Sequence, residues 1–182
     1  LCDDRWDDRR LERMVAAFRK APPGSGVAFS GMAVIDAAGV RTGATIRPSS
    51  TLALLGAAGA SLPDGEVFMV KAADARRLLF RKCFIPAPTA MVRRTVYSEV
   101  GLYDEHFAGE DLDFWLRASK QYDFIFLDEP LVEYRVHGSN LTSGKNEAYL
   151  NDHGRILAKH LPKGSSAANR RDADTQLFEE AC

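Results

Sequence analysis

Five side chains have the types and positions to do chemistry together: Asp3 and Asp4 ahead of a helix, Glu110 and Asp111 at the start of another, and His137 at a strand end. Element termini are where side chains converge on clefts instead of filling cores. Such a set suits a hard divalent cation beside a separate carboxylate base, because oxygen ligands favour Mg2+ or Mn2+ and one imidazole is compatible with Mn2+. A carboxylate in the first turn of a helix is kept ionised by the dipole and the free amides. Asp111 is therefore expected to accept a proton from an ordinary carboxylate pKa.

Each residue also has a plainer use. Asp3 and Asp4 can be loop acids or caps, and capping is the commoner use of Glu110 or Asp111 on spacing alone. An isolated histidine such as His137 more often sits on a surface or in a turn. Trp115, one helical turn from Asp111, floors a sugar-sized pocket or anchors the core. Arg93 and Arg94 meet a phosphate or mark a solvated edge. His153 and His160 lie about 10 Å apart along a helix, too far for one metal, and read as structural.

The elements that must position these groups follow from periodicity. Leu11, Met14, Val15 and Phe18 recur at helical spacing within residues 7 to 20, which Pro22, Pro23 and Gly24 end. Residues 27 to 36 read as a strand, with a turn at Asp36 to Gly39. Residues 40 to 66, rich in small residues, read as a long loop around a short helix near Leu52 to Leu55. Residues 72 to 84 read as a helix broken by Pro86 and Pro88, and 95 to 100 as a short helix ended by Gly101. Residues 110 to 120 place Leu112, Trp115, Leu116 and Ser119 on one helical face. Phe124 to Leu127 is an apolar strand buried on both faces. Asp128, Glu129 and Pro130 then turn the chain into a second strand, where Val132, Tyr134 and Val136 alternate with Glu133, Arg135 and His137. A last amphipathic helix covers about 145 to 161.

Composition narrows the class. The 182 residues carry 24 Lys and Arg against 25 Asp and Glu, a net charge of −1, with the two signs interspersed, which argues against nucleic acid as a partner. The apolar stretch 52 to 62, half Ala and Gly, is far shorter than the roughly 20 residues a membrane span needs. Cys2, Cys83 and Cys182 are odd in number and contain no CxxC, so neither a disulfide framework nor a zinc knuckle is encoded, and a reducing, cytoplasmic setting fits. The opening on Leu1 and the stop at Cys182 suggest a fragment cut at both ends.

Four segments in order, Thr89-Ala-Met-Val-Arg-Arg94, Val100-Gly-Leu-Tyr-Asp-Glu105, Gly109-Glu-Asp-Leu-Asp-Phe-Trp-Leu-Arg117 and Tyr134-Arg-Val-His-Gly-Ser-Asn-Leu-Thr142, resemble the second half of family 2 glycosyltransferases of the GT-A fold. The opening Asp3-Asp4-Arg5-Trp6 and Leu11-Glu12-Arg13 resemble the end of that family's DxD segment and the helix after it. The likeness covers about residues 1 to 160.

The resemblance implies an α/β fold: a partial GT-A domain with a Rossmann-like mixed sheet flanked by helices, its N-terminal nucleotide-binding half missing. Residues 1 to 161 would form the metal-edge and acceptor part, and 162 to 182 a polar tail or the start of a further segment. It implies an inverting transfer in which Asp111 is the general base, and Asp3, Asp4 and His137 meet an Mg2+ or Mn2+ ion. Glu110, Trp115, Thr89 and Arg94 would shape the substrate side, with the loop 86 to 90 lining it. The donor would be a UDP- or dTDP-linked sugar, the acceptor a saccharide or lipid-linked glycan, and the setting the cytoplasm or the inner face of the membrane. Leu1 stands where the first DxD acid is expected, either a loss or the place of the cut. A non-catalytic sugar- or partner-binding module is the competing class. A metal-dependent hydrolase ranks last, because no ligands for a second metal are apparent.

Overall fold

A computed structural model describes residues 3–47, 60–61, 67–138, 140 and 147–161. The expectations placed on Leu1, Cys2, Leu52 to Leu55 and the tail from Pro162 lie outside these residues. The described elements run β1 (Arg5–Trp6), α1 (Arg10–Lys20), β2 (Ser25–Ile35), β3 (Arg41–Ile46), β4 (Ala60–Ser61), β5 (Val67–Val70), α2 (Ala72–Leu79), a 3-10 turn (Ala87–Thr89), β6 (Met91–Val92), α3 (Arg94–Val100), α4 (Glu110–Ala118), β7 (Asp123–Arg135) and α5 (Glu147–His160). The protein is α/β, with a seven-stranded mixed sheet flanked by helices.

Two long strands, β2 and β7, form the sheet's centre and run parallel. Along its other edge β7 pairs first with β5 and then, past its middle, with β1. The outer edge of β2 pairs first with β6 and then with β3. All four of these flanking pairings are antiparallel. Because strand side chains alternate, each central strand supplies two cores. Phe29, Phe124 and Phe126 face one side with Leu78, Leu112, Trp115 and Ile156 of α2, α4 and α5. Ala28, Ile125 and Leu127 face the other with Met14, Ala17 and Phe18 of α1. Burial on both faces is what the apolar run Phe124 to Leu127 requires.

Three expectations need correction. Asp128 to Pro130 do not turn the chain: β7 is continuous, and the ladder skips from the Ser30–Leu127 pair to the Gly31–Pro130 pair, so Asp128 and Glu129 form a bulge. Proline is tolerated there because the ladder is already interrupted. Gly31 lies opposite, and a Cβ on it would sit 3.1 Å from the carbonyl oxygens of Glu129 and Ile46. Second, α1 buries Arg10, Met14, Ala17 and Phe18, whereas Leu11 and Val15 are exposed. The face is rotated because Arg10 turns inward to the loop before β6. Third, residues 41 to 46 are a strand closing a hairpin with β2, and Val136 beyond β7 is exposed. The remaining helices follow their periodicity closely, although α2 stops at Leu79, ahead of the predicted end.

Candidate functional site

The base candidate sits on α4. Gly109 precedes the helix, and three acids crowd its first turn: Glu110, Asp111 and Asp113. They have separate fates. Asp113 points into the protein, fully buried, where Arg117 Nε donates to Oδ2 at 2.9 Å and Lys159 Nζ and His160 Nε2 approach Oδ1 at 2.9 and 2.8 Å. Burial opposes its ionisation, yet the bonds from Lys159, His160 and Arg117 outweigh it and hold the carboxyl below its ordinary range. This network locks α4 to α5.

Among the described residues no such cation meets Asp111. Its Oδ1 accepts the Leu112 amide at 2.9 Å, leaving Oδ2 as the oxygen for other chemistry. Burial pushes its pKa up to about 6, helped by the charge of Glu110 and opposed by the Leu112 N–H. The expectation of an ordinary carboxylate is therefore corrected: loss of water outweighs the helix dipole. The surroundings explain the desolvation. Cys83, Tyr103 and Tyr149 are each pushed upward mainly by burial and further by the Asp111 charge. Tyr149 also feels Tyr134. Asp111 thus lies within electrostatic reach of two tyrosines and of the segment that leads into the loop 86 to 90.

Helix α5 holds this turn from behind. Asp152 Oδ2 accepts the Ala108 amide at 2.8 Å. His153 is buried, its Nε2 has no hydrogen-bond partner among the described residues, and its ring lies 4.6 Å from that of Tyr149. A Cβ on Gly109 would come within 3.2 Å of His153 Cδ2 and 3.5 Å of Tyr149 Cε2. Glycine is needed here for close approach. His160 and His153 are structural, in agreement with their spacing.

The second candidate centre lies past the C-terminal end of β7. His137 Nε2 and Asp3 Oδ2 are 2.8 Å apart, and this hydrogen bond is the main cause that lowers the Asp3 carboxyl. The loop carrying Asp3 is fixed to β7 by Arg135, whose Nε donates to the Asp3 carbonyl and whose Nη1 donates to the carbonyls of Asp36 and Ala37. Asn140 Oδ1 accepts the His137 amide at 2.6 Å, and Asn140 Nδ2 donates to the Tyr134 hydroxyl at 3.3 Å. Tyr134 is thereby shared between the histidine segment and the field around Tyr149.

The structure redistributes the other candidates. Asp4 Oδ1 accepts the Arg135 amide at 2.9 Å, so one of its oxygens caps the strand end. Thr89 is fully buried and its Oγ1 donates to the Pro86 carbonyl at 2.8 Å, which makes it a turn residue with no surface for a substrate. Trp115 is fully buried, edge-on to Phe114 and Tyr103, and is a core anchor. Arg94 is exposed at the first position of α3. Its neighbour Arg93 pairs with Gly26, at the end of β2 far from His137. The side chains that sequence reading missed are Tyr149, Tyr103 and Arg10. The first two are apolar-patterned residues whose approach to Asp111 depends on packing between elements.

Asp3 Oδ2 and His137 Nε2 are an oxygen and a nitrogen donor 2.8 Å apart, and a divalent cation held by both would replace the proton of the hydrogen bond between them. Among the described residues no group of three or more His, Cys, Asp or Glu forms a fuller cage. A cation held by few protein ligands beside substrate phosphates is the usual arrangement for Mg2+. No helix among the described residues is long and apolar enough to cross a membrane. Comparison with protein-family models and with curated proteins finds no match.

Proposed function

We propose that this chain carries the base and metal edge of an inverting, divalent-cation-dependent glycosyltransferase of GT-A type, moving a sugar from a nucleotide sugar to an acceptor hydroxyl. The observation that carries the proposal is Asp111: a half-buried carboxylate in a helix first turn, with one oxygen held by an amide, one left over, and a pKa of about 6. At pH 7 such a group is ionised by about ten to one, and it is a better proton acceptor than an ordinary aspartate. The order of the four motif segments supplies the reaction class.

In this reading the acceptor hydroxyl donates its proton to Asp111 Oδ2 as its oxygen bonds to the anomeric carbon. The bond from that carbon to the diphosphate breaks on the opposite face. Leu112 N–H and the clamp of Asp152, His153 and Tyr149 on residues 108 and 109 keep the carboxylate aimed. Asp3 and His137 would hold the cation, which when bound supplies positive charge against the departing diphosphate. The proposed donor is a UDP- or dTDP-linked sugar, and the acceptor a saccharide or lipid-linked glycan at the cytoplasmic face of a membrane.

The test is incubation of the full-length parent protein, since the 182 residues alone are expected to be inactive, with Mn2+, a panel of nucleotide sugars and a mixed glycan acceptor, reading release of the nucleoside diphosphate and the glycosylated product. Wild type should release nucleotide only with acceptor present, and Asp111→Asn should fall at least about a hundredfold, the usual contribution of a general base. Equal rates for the two proteins would remove Asp111 from the role.

A further inference from the structure

Tyr103 lies in the loop between α3 and α4 and is 36% exposed, although other aromatic rings pack around it. Phe114 lies against it at 4.6 Å between ring centres with the planes 31° apart, Tyr97 stands at 6.1 Å, and Trp115 meets it edge-on at 6.3 Å. Phe114 and Trp115 are fully buried core residues, and they cover one face and the inner edge of the Tyr103 ring. The exposed area belongs to the opposite face.

This ring sits beside Asp111. Phe114 and Trp115 follow Asp111 by three and four positions on α4, the spacing that places side chains on one helix face with Cβ atoms about 5 to 6 Å apart. A ring packed on both residues is therefore one helical turn from the carboxylate. Electrostatics agree: burial and the hydrogen bond with Tyr97 push the Tyr103 phenol upward, and the charges of Asp111 and Glu110 push it further.

The loop holds the ring in place. Gly101 takes a φ of +83°, a turn open to glycine, and Arg117 of α4 donates to the Val100 carbonyl and, at 2.7 Å, to the Leu102 carbonyl. On the other side Asp104 Oδ2 accepts from Lys159 Nζ at 3.2 Å, and the Phe107 amide donates back to the Asp104 carbonyl at 3.1 Å. Tyr103 is thus anchored through both of its neighbours. A fixed aromatic face loses little entropy when a ligand stacks on it, and the two carboxylates beside it accept hydrogen bonds and repel anions. A neutral sugar meets both conditions, with C–H groups for the ring and hydroxyls for the acids.

We propose that Tyr103 is the platform for the acceptor, a neutral pyranose whose apolar face stacks on the exposed ring and so carries one hydroxyl to Asp111. The inference rests on the transferase reading for one point, that this hydroxyl is the one that reacts.

Saturation-transfer NMR on the full-length parent protein tests it without donor or turnover. Aromatic protons are irradiated while maltotriose, cellotriose, chitotriose and trigalacturonate are titrated in turn. At least one neutral trisaccharide should give a saturable signal, strongest on the C–H groups of one ring face, with trigalacturonate at least about tenfold weaker. Tyr103→Phe keeps the stacking surface and should bind within about twofold of wild type, whereas Tyr103→Leu keeps bulk without a flat face and should weaken that sugar by about tenfold. Where the Leu variant fails to melt cooperatively, wild type carrying ring-deuterated tyrosine serves, because most of the transfer should then vanish. No saturable signal from the neutral sugars, equal binding of trigalacturonate, unchanged affinity in a folded Leu variant, or transfer that survives tyrosine deuteration would each overturn the platform. The transferase reading fails separately. Sugar binding without turnover would leave the platform standing and remove the transferase, while turnover with an acceptor KM unchanged by Tyr103→Leu would do the reverse.

Discussion

Replacing Asp111 by Asn should stabilise the protein at neutral pH while removing its base. The folded-state pKa of this carboxyl is about 6 against an ordinary value of 3.8. Its proton is therefore held more tightly folded than unfolded. That linkage contributes fully to stability below about pH 4 and is lost as pH rises through about 6. Above that, the ionised carboxylate sits where burial and Glu110 oppose it. The difference of about 2 units corresponds to at most about 3 kcal/mol. An Asn side chain carries no charge at either pH, and its carbonyl oxygen can still accept the Leu112 amide. Asp111→Asn should thus gain up to about 3 kcal/mol at pH 7.5, which for a chain of this size is about 6 to 12 °C in Tm, and close to nothing at pH 4. Melts followed by circular dichroism at the two pH values measure the gain, and urea titrations convert it to free energy. A variant that melts below wild type at pH 7.5, or that differs from it equally at both values, would refute the reasoning.

Two further changes test the support of this residue. Gly109→Ala should cost about 1 kcal/mol in stability and lower kcat by about tenfold, because the added methyl meets His153 at 3.2 Å and shifts the base; denaturant titration and initial rates separate the two effects. Asp113→Asn should cost about 3 to 5 kcal/mol, since Arg117, Lys159 and His160 lose the one charge they share, and its urea midpoint should fall accordingly.

The sequence made parts of this architecture legible and hid others for physical reasons. Leu112, Trp115, Leu116 and Ser119 recur at helical spacing, and all four are buried. The two-sided burial of Phe124 to Leu127 likewise follows from an unbroken apolar run. The continuity of β7 was hidden because Asp128, Glu129 and Pro130 have turn chemistry, and a bulge uses the same residues as a turn. The buried face of α1 is hidden because periodicity counts Leu11 and Val15 as apolar and Arg10 as polar, whereas the arginine is inside and the other two are outside.

The candidate site divides in the same way. Asp3 and His137, 134 residues apart, do meet, and both were marked by their place at element ends. The state of Asp111 is not legible in the sequence, since its position in the first turn of α4 predicts an ordinary carboxylate pKa, while its burial depends on packing between elements, with Cys83, Tyr103 and Tyr149 within its electrostatic reach. The places of Trp115 and Thr89 in the motifs point to substrate. Complete burial withdraws both.

The central claim is that Asp111 takes the acceptor proton. The pH dependence of kcat/KM tests it most directly, because that ratio reports the ionisation of essential groups in the free protein. With Mn2+ and both substrates held well below their KM, an acidic limb with an apparent pKa of about 6 is expected, the value set by burial and Glu110. A limb near 4, or a profile flat from pH 5 to 8, would contradict it.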